Sequence, residues 1–172
     1  ELGGKTLGLL GCGKIGQMVA RLALAFGMTV KAFEPYPDNN FKEPENFTYS
    51  TMDEVFKSSD IISLHCPPSS DGIPLINKQT IEKMKKGVYI VNTAREGLIN
   101  SAEVIAGIES GKIAGFTIDA FDTEPPTNWD LAKNTRVVAT QHIGAFTKES
   151  VERMTTFAVD NLLSVLGSRQ SN

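Results

Sequence analysis

The sequence predicts a doubly wound α/β fold: a mainly parallel sheet of six strands, with room for a seventh, and helices on both faces. Two observations carry this reading. Short apolar runs rich in β-branched residues alternate along the chain with longer segments of helical periodicity. A glycine-rich turn joins the first of those runs directly to the first of those helices. With 172 residues, 41% of them apolar, the chain has material for one core and too little for a second full domain, so positions 1–172 read as a single domain.

Taken in order, the strands are expected at Thr6–Leu10, Thr29–Phe33, Ile61–Leu64, Val88–Val91, Gly115–Ile118 and Arg136–Ala139. Between them, Lys14–Phe26 sets Ile15, Val19, Leu22 and Phe26 at helical spacing, and Met52–Lys57, Asn77–Met84 and Ser101–Glu109 read as further helices. A last helix runs from about Lys148 to Leu166. Gly27 and Gly111 stand where helices should end, and Asn100 or Ser101 where one should begin. The stretch Glu34–Ser50, interrupted by Pro35, Pro37 and Pro44, shows no period and reads as a surface excursion.

Charge and composition exclude several classes. The formal net charge of −3 and the scattered lysines leave no basic footprint for a nucleic-acid backbone. No apolar run approaches the roughly 18 residues of a membrane span, and no basic, apolar leader opens the chain. Cys12 and Cys66 are too few for a disulfide framework and lack metal-site spacing, which points to a reducing cytosol and to no structural metal.

The turn is Gly11-Cys12-Gly13-Lys14-Ile15-Gly16. In this setting the first glycine permits a tight turn, the second lets the backbone approach a pyrophosphate, and the third lets helix and strand pack closely. The helix N-terminus then stabilises the phosphates. Glu34 closes the second strand, where a carboxylate accepts hydrogen bonds from ribose hydroxyls and repels a 2′-phosphate, favouring NAD over NADP. Lys31 alternates to the other side of that strand and does not offset this preference. Strand, turn, helix and acidic residue together make a Rossmann-type dinucleotide fingerprint.

The later strand ends carry the remaining chemistry, because ligands in open α/β sheets bind beyond the carboxyl ends of the strands. They read His65-Cys66-Pro67-Pro68, Asn92-Thr93-Ala94-Arg95, Asp119 through Glu124-Pro125-Pro126, and Gln141-His142-Ile143-Gly144-Ala145. With the opening Leu2-Gly3-Gly4-Lys5-Thr6-Leu7-Gly8, this order of motifs resembles the D-isomer-specific 2-hydroxyacid dehydrogenases over essentially the whole chain, and the D-3-phosphoglycerate dehydrogenase branch looks closest. The resemblance implies that Arg95 binds the substrate carboxylate, that His142 is the acid-base group and that Glu124 is its partner. It implies an NAD site of Gly11, Gly13, Lys14, Ile15, Gly16, Glu34, Pro35, Cys66, Pro67, Thr93, Ala94, Arg95, Asp119, His142, Gly144 and Ala145, with Asp119 on the nicotinamide amide. His65 falls to the cofactor wall or to structure. The resemblance further implies a substrate domain outside this chain, a cytoplasmic homodimer, and slow or absent turnover by this chain alone.

Those roles suit the chemistry. A guanidinium holds a planar carboxylate by two parallel hydrogen bonds and polarises the neighbouring carbonyl, a geometry lysine does not reproduce. Reduction at carbon 2 generates an alkoxide, which histidine protonates near neutral pH. A paired carboxylate is expected to raise the pKa of His142 above about 6.5. Three positions depart from the family pattern: Glu96 replaces a usual glycine, Asn100 an aspartate and Gln141 a proline. Glu96 is the one with chemical weight, since a carboxylate beside Arg95 is placed to compete for it. Two other classes fit the same residues: an NAD(H)-sensing interaction module like the dehydrogenase-like co-repressors, and an S-adenosylmethionine enzyme, for which Arg95, Glu124 and His142 have no evident use.

Overall fold

The leucines of β1 (Thr6–Leu10) are buried on both faces of the strand, which sets it at the centre of a sheet. The protein, as a computed structural model, is described at residues 1–38, 40–41 and 45–169. After β1 come α1 (Lys14–Ala25), β2 (Thr29–Phe33), β3 (Phe47–Tyr49), α2 (Met52–Ser58), β4 (Ile61–Leu64), α3 (Lys78–Lys83), β5 (Val88–Asn92), α4 (Ser101–Glu109), β6 (Ile113–Ile118), β7 (Val137–Ala139) and α5 (Lys148–Arg169). A single 3-10 turn, Glu96–Leu98, separates β5 from α4. The predicted elements are present, four with unchanged boundaries and the rest moved by at most three residues. Gly27 and Gly111 follow their helices with φ of 73° and 72°, and Asn100 caps α4 by accepting the Glu103 N–H at 3.2 Å.

Seven strands form one sheet in the order β3-β2-β1-β4-β5-β6-β7, with every pair parallel. The order reverses between β1 and β4. Right-handed crossovers then require α1 on one face and α2, α3 and α4 on the other. Two cores follow from this split. One gathers Phe56, Ile62, Ile90, Val104, Ile108 and Phe116 beneath α2–α4; the other gathers Leu9, Ala20, Ala23, Val30, Phe41 and Phe47 beneath α1. The chain separates into two compact units, Glu1–Gln141 and a second that begins at His142 and contains α5.

Two expectations are corrected. The stretch 34–50 is not wholly a surface excursion, because Phe47–Tyr49 pairs with β2 as the seventh strand, and Phe41, Phe47 and Tyr49 stack edge to face at 5.1 and 5.0 Å between successive centroids. A three-residue strand is too short to display a period, and its burial comes from aromatic packing that spacing does not register. Pro44 lies outside the described residues. In α1 the helix is where its spacing placed it, but Gly16, Ala20 and Ala23 face the sheet. Ile15, Leu22 and Phe26 are 66%, 62% and 63% exposed. Small residues let the helix backbone lie close on β1 and β2, and close approach outweighs side-chain bulk there.

The bottom of the sheet is tied by Asp60, which precedes β4. One carboxylate oxygen accepts the Thr6 N–H at 2.9 Å and the other accepts from Lys85 Nζ at 2.8 Å. These bonds, Lys85 first, hold its carboxyl below the ordinary carboxylate range. A depressed folded pKa contributes stability above the unfolded value of about 4 and loses it as the pH falls through the folded value. Asp60→Asn is therefore expected to destabilise by about 0.5–1 kcal/mol near neutral pH, a modest figure because the pair is partly exposed. In urea titrations the gap from wild type should narrow as the pH falls below about 4; a gap that stays constant between neutral and acid pH would assign the effect to packing.

Candidate functional site

The reversal between β1 and β4 opens a crevice at the carboxyl ends of the strands, and the glycine turn forms its floor. Gly11 has φ of 96°, and a Cβ there would lie 2.6 Å from the carbonyl of His65 and 2.8 Å from the Cys66 nitrogen. A Cβ on Gly16 would run into the Gly11 carbonyl. Gly13 differs from both: a Cβ there would meet nothing within 4 Å, so its constraint is not internal packing. It caps α1 without a side-chain hydrogen bond, which leaves the first-turn N–H groups directed at whatever anion lies beyond it. Lys14 and Ile15 are exposed at this end of the helix.

Glu34 reaches back to the turn from the end of β2. Its Oε2 accepts the Cys12 N–H at 2.8 Å and its Oε1 the Tyr36 N–H at 3.4 Å. The carboxylate is thus fixed beside the turn, with lone pairs remaining for hydroxyl donors. Pro35 and Tyr36 beside it are exposed. Lys31 is turned away and pairs with Glu54 of α2 at 2.7 Å. Burial, with the Glu34 charge adding to it, raises the Cys12 thiol above its ordinary pKa, although the Tyr49 hydroxyl bonds to it. Burial likewise raises Cys66. Both cysteines therefore stay protonated and unreactive at neutral pH.

The ends of β4 and β5 and the start of α1 enclose one hollow of about 340 Å³, lined by Ile15, His65, Cys66, Pro67, Pro68, Thr93, Ala94 and Arg95. His65 is fixed by Ser63 Oγ at 2.9 Å from Nε2, and burial lowers its pKa. A neutral, hydrogen-bonded ring suits a wall better than a proton donor. Asn92, buried at the end of β5, shapes the loop: its Nδ2 donates to the Arg95 carbonyl at 2.8 Å and its Oδ1 accepts the Ala94 N–H at 3.1 Å. The Arg95 guanidinium is exposed and donates to the Ala94 carbonyl at 2.6 Å.

At the end of β6, buried Asp119 accepts from Thr140 Oγ1 at 2.5 Å. Glu124 stands beyond it, at a cis Glu124–Pro125 bond, with Oε1 accepting the Phe121 N–H at 3.2 Å. It lines a second hollow of about 480 Å³ with Trp129, Lys133, Thr140 and Gln141. Arg95 and Glu124 thus belong to different hollows of the first unit. His142 opens the second unit, with φ of 55°, and Gly144 and Ala145 follow it there. Sequence reasoning gave Asn92 no role beyond its place in the strand-end motif and did not single out Thr140; the two hold Arg95's loop and Asp119. An asparagine three residues before the arginine was the available signal for the first; the second is visible only once β7 lies beside β6.

The family model of the D-isomer specific 2-hydroxyacid dehydrogenase NAD binding domain matches residues 1–144. The chain belongs to this family. It is 43% identical over 150 residues to D-3-phosphoglycerate dehydrogenase of Bacillus subtilis, covering 87% of this chain and 29% of that protein. It is 44% identical over 170 residues to hydroxypyruvate reductase of Thermotoga maritima, covering 97% and 55%. The solved structure of D-lactate dehydrogenase from Aquifex aeolicus complexed with NAD and lactic acid matches with a TM-score of 0.86 at 32% identity, covering 95% of this chain and 54% of that one. The chain spans about half or less of the length of these relatives.

The cofactor of this NAD-binding domain fits the geometry: the open space over Gly13 and the outward N–H groups of α1 suit a pyrophosphate, and Glu34 suits a ribose. The two glycines should therefore separate in a titration. Gly13→Ala is expected to leave the melting temperature within about 2 °C of wild type while weakening NADH binding about 10-fold or more, since its methyl projects only toward the ligand. Gly11→Ala should lose both stability and binding, because its methyl meets backbone in a left-handed turn. Calorimetry and thermal melts check this; unchanged NADH affinity in Gly13→Ala would remove the pyrophosphate from the turn.

Proposed function

We propose that the polypeptide carrying this chain is an NAD-dependent D-2-hydroxyacid dehydrogenase, interconverting a small 2-oxo acid and its D-2-hydroxy acid. The observation that carries the reading is the shared hollow, where the dinucleotide turn, Cys66-Pro67 and Thr93-Ala94-Arg95 meet. NADH, when bound, supplies the reducing equivalents. Arg95 holds the substrate carboxylate through its fork of donors and draws electron density from the neighbouring carbonyl. His142 delivers a proton to the oxygen on carbon 2 as negative charge develops there, and takes it back in the oxidation direction. Glu124 is the carboxylate assigned as partner of that acid-base group. Asp119, held by Thr140, would accept from the nicotinamide amide. Pro35, Gly144 and Ala145 complete the cofactor surface. Residues 1–172 act as one nucleotide-binding domain, and a substrate domain encloses the acid and excludes water.

The free thiols of Cys12 and Cys66 suit a reducing cytoplasm. The exposed apolar side chains of Met18 and Leu22 on α1, with Phe26 just after it, supply surface for a homodimer. The decisive experiment follows NADH oxidation with a panel of 2-oxo acids. NADH should be preferred over NADPH, and Glu34→Ala should weaken NADH binding and narrow that preference. Arg95→Lys is expected to lower kcat/KM by about 10²–10³-fold, mainly through KM, and His142→Gln to lower kcat by about 10²–10⁴-fold. Turnover that survives both substitutions would sink the assigned roles.

A further inference from the structure

Glu96 and Asp122 each place a carboxylate oxygen on the other's loop. Glu96 Oε2 accepts the Asp122 N–H at 3.0 Å, and Asp122 Oδ1 accepts the Gly97 N–H at 3.1 Å, across 26 and 25 positions of sequence. The second oxygen of Glu96 lies 3.5 Å from Ser101 Oγ at the start of α4. One loop carries Arg95, the residue before Glu96; the other carries Glu124, two residues after Asp122. The strand register between β5 and β6 ends at Asn92 and Ile118, so no ladder holds the loops together beyond that point. The Asp122 and Gly97 N–H groups have no strand to donate to, and charge-assisted bonds to carboxylates are the stronger kind available to them.

We propose that Glu96 and Asp122 form a reciprocal carboxylate-to-amide clamp that sets the Arg95 loop against the Glu124 loop, making Glu96 a positioning residue for the 2-oxo acid. The clamp's role in turnover rests on the catalytic reading above. Glu96 acts through its neighbours. It orients the backbone from which the guanidinium projects and at the same time fixes the segment that presents Glu124. Its carboxylate is committed to the Asp122 N–H, which is a different use from the competition for Arg95 that its place in the sequence suggests.

The test is kinetic, on the polypeptide that joins this chain to a substrate domain, with amide hydrogen exchange on this chain as a second readout. Glu96→Ala should raise KM for the 2-oxo acid about 10-fold and lower kcat several-fold, with NADH affinity within about 2-fold of wild type. Glu96→Gln keeps an acceptor oxygen and should stay within about 3-fold of wild type. Asp122→Ala should resemble Glu96→Ala, and the double variant should be no worse than the poorer single one, as expected of groups acting as a unit. In exchange, Glu96→Ala should speed the Asp122 and Gly97 amides together, about 10-fold or more. Unchanged KM in Glu96→Ala, equal damage in Glu96→Gln, or parallel losses of substrate and NADH binding would overturn the proposal, as would acceleration of Asp122 alone. A wild-type protein that turns over no 2-oxo acid, together with joint acceleration of the two amides in Glu96→Ala, would overturn the catalytic reading and leave the clamp standing.

Discussion

Everything in the site hangs from the close passage of the β1–α1 turn between its two flanking strands. The Gly11 N–H donates to the Phe33 carbonyl at 2.9 Å on the β2 side, and the His65 N–H donates to the Leu10 carbonyl at 2.7 Å on the β4 side. The turn is therefore an extension of the sheet and not a loop resting on it. Gly11 is wedged so near the His65–Cys66 peptide that no side chain fits, and α1 begins with its N-terminus aimed along the crevice. Glu34 completes the arrangement by holding the Cys12 N–H, so the acidic residue and the turn form one hydrogen-bonded body.

Past the sheet the structure changes its means of support. Strand ends give place to loops, and polar side chains hold those of Arg95, Asp119 and Glu124: Asn92 under Arg95, Thr140 beside Asp119, Glu96 and Asp122 across the two loops. Asn92 and Asp119 are buried, where polar groups are costly unless satisfied, and each has a partner within its own turn or on a neighbouring strand end. Such support keeps chemically active side chains exposed on a backbone that is not free to wander. Arg95 illustrates this: its guanidinium is open to solvent while its carbonyl is fixed by Asn92.

The legibility of these features in the sequence follows their range. Alternation of apolar runs with helical segments is local, so six strands and five helices were readable with small boundary shifts. The dinucleotide turn was readable for the same reason, since its glycines and strand are contiguous. Phe47–Tyr49 escaped because three residues carry no period, and the exposed face of α1 was misjudged because alanines and a glycine, not the larger apolar residues, face the sheet. The clamp was invisible: nothing in Glu96 or Asp122 taken singly announces a partner about 25 positions away.

By itself the sequence determined the layer order, the strand-to-helix turn, the acidic end of β2 and the residues that stand at each strand's carboxyl end, because these depend on neighbours within a few positions. The tertiary structure alone decided that Ile15, Cys66, Thr93 and Arg95 share one hollow while Glu124 lines another. It alone turned Glu96 toward Asp122. The physical reason is that which strand ends become neighbours is set by the pairing of a seven-stranded sheet, a non-local choice made by burial of two cores, and only after it is made do side chains from distant segments come within hydrogen-bond reach.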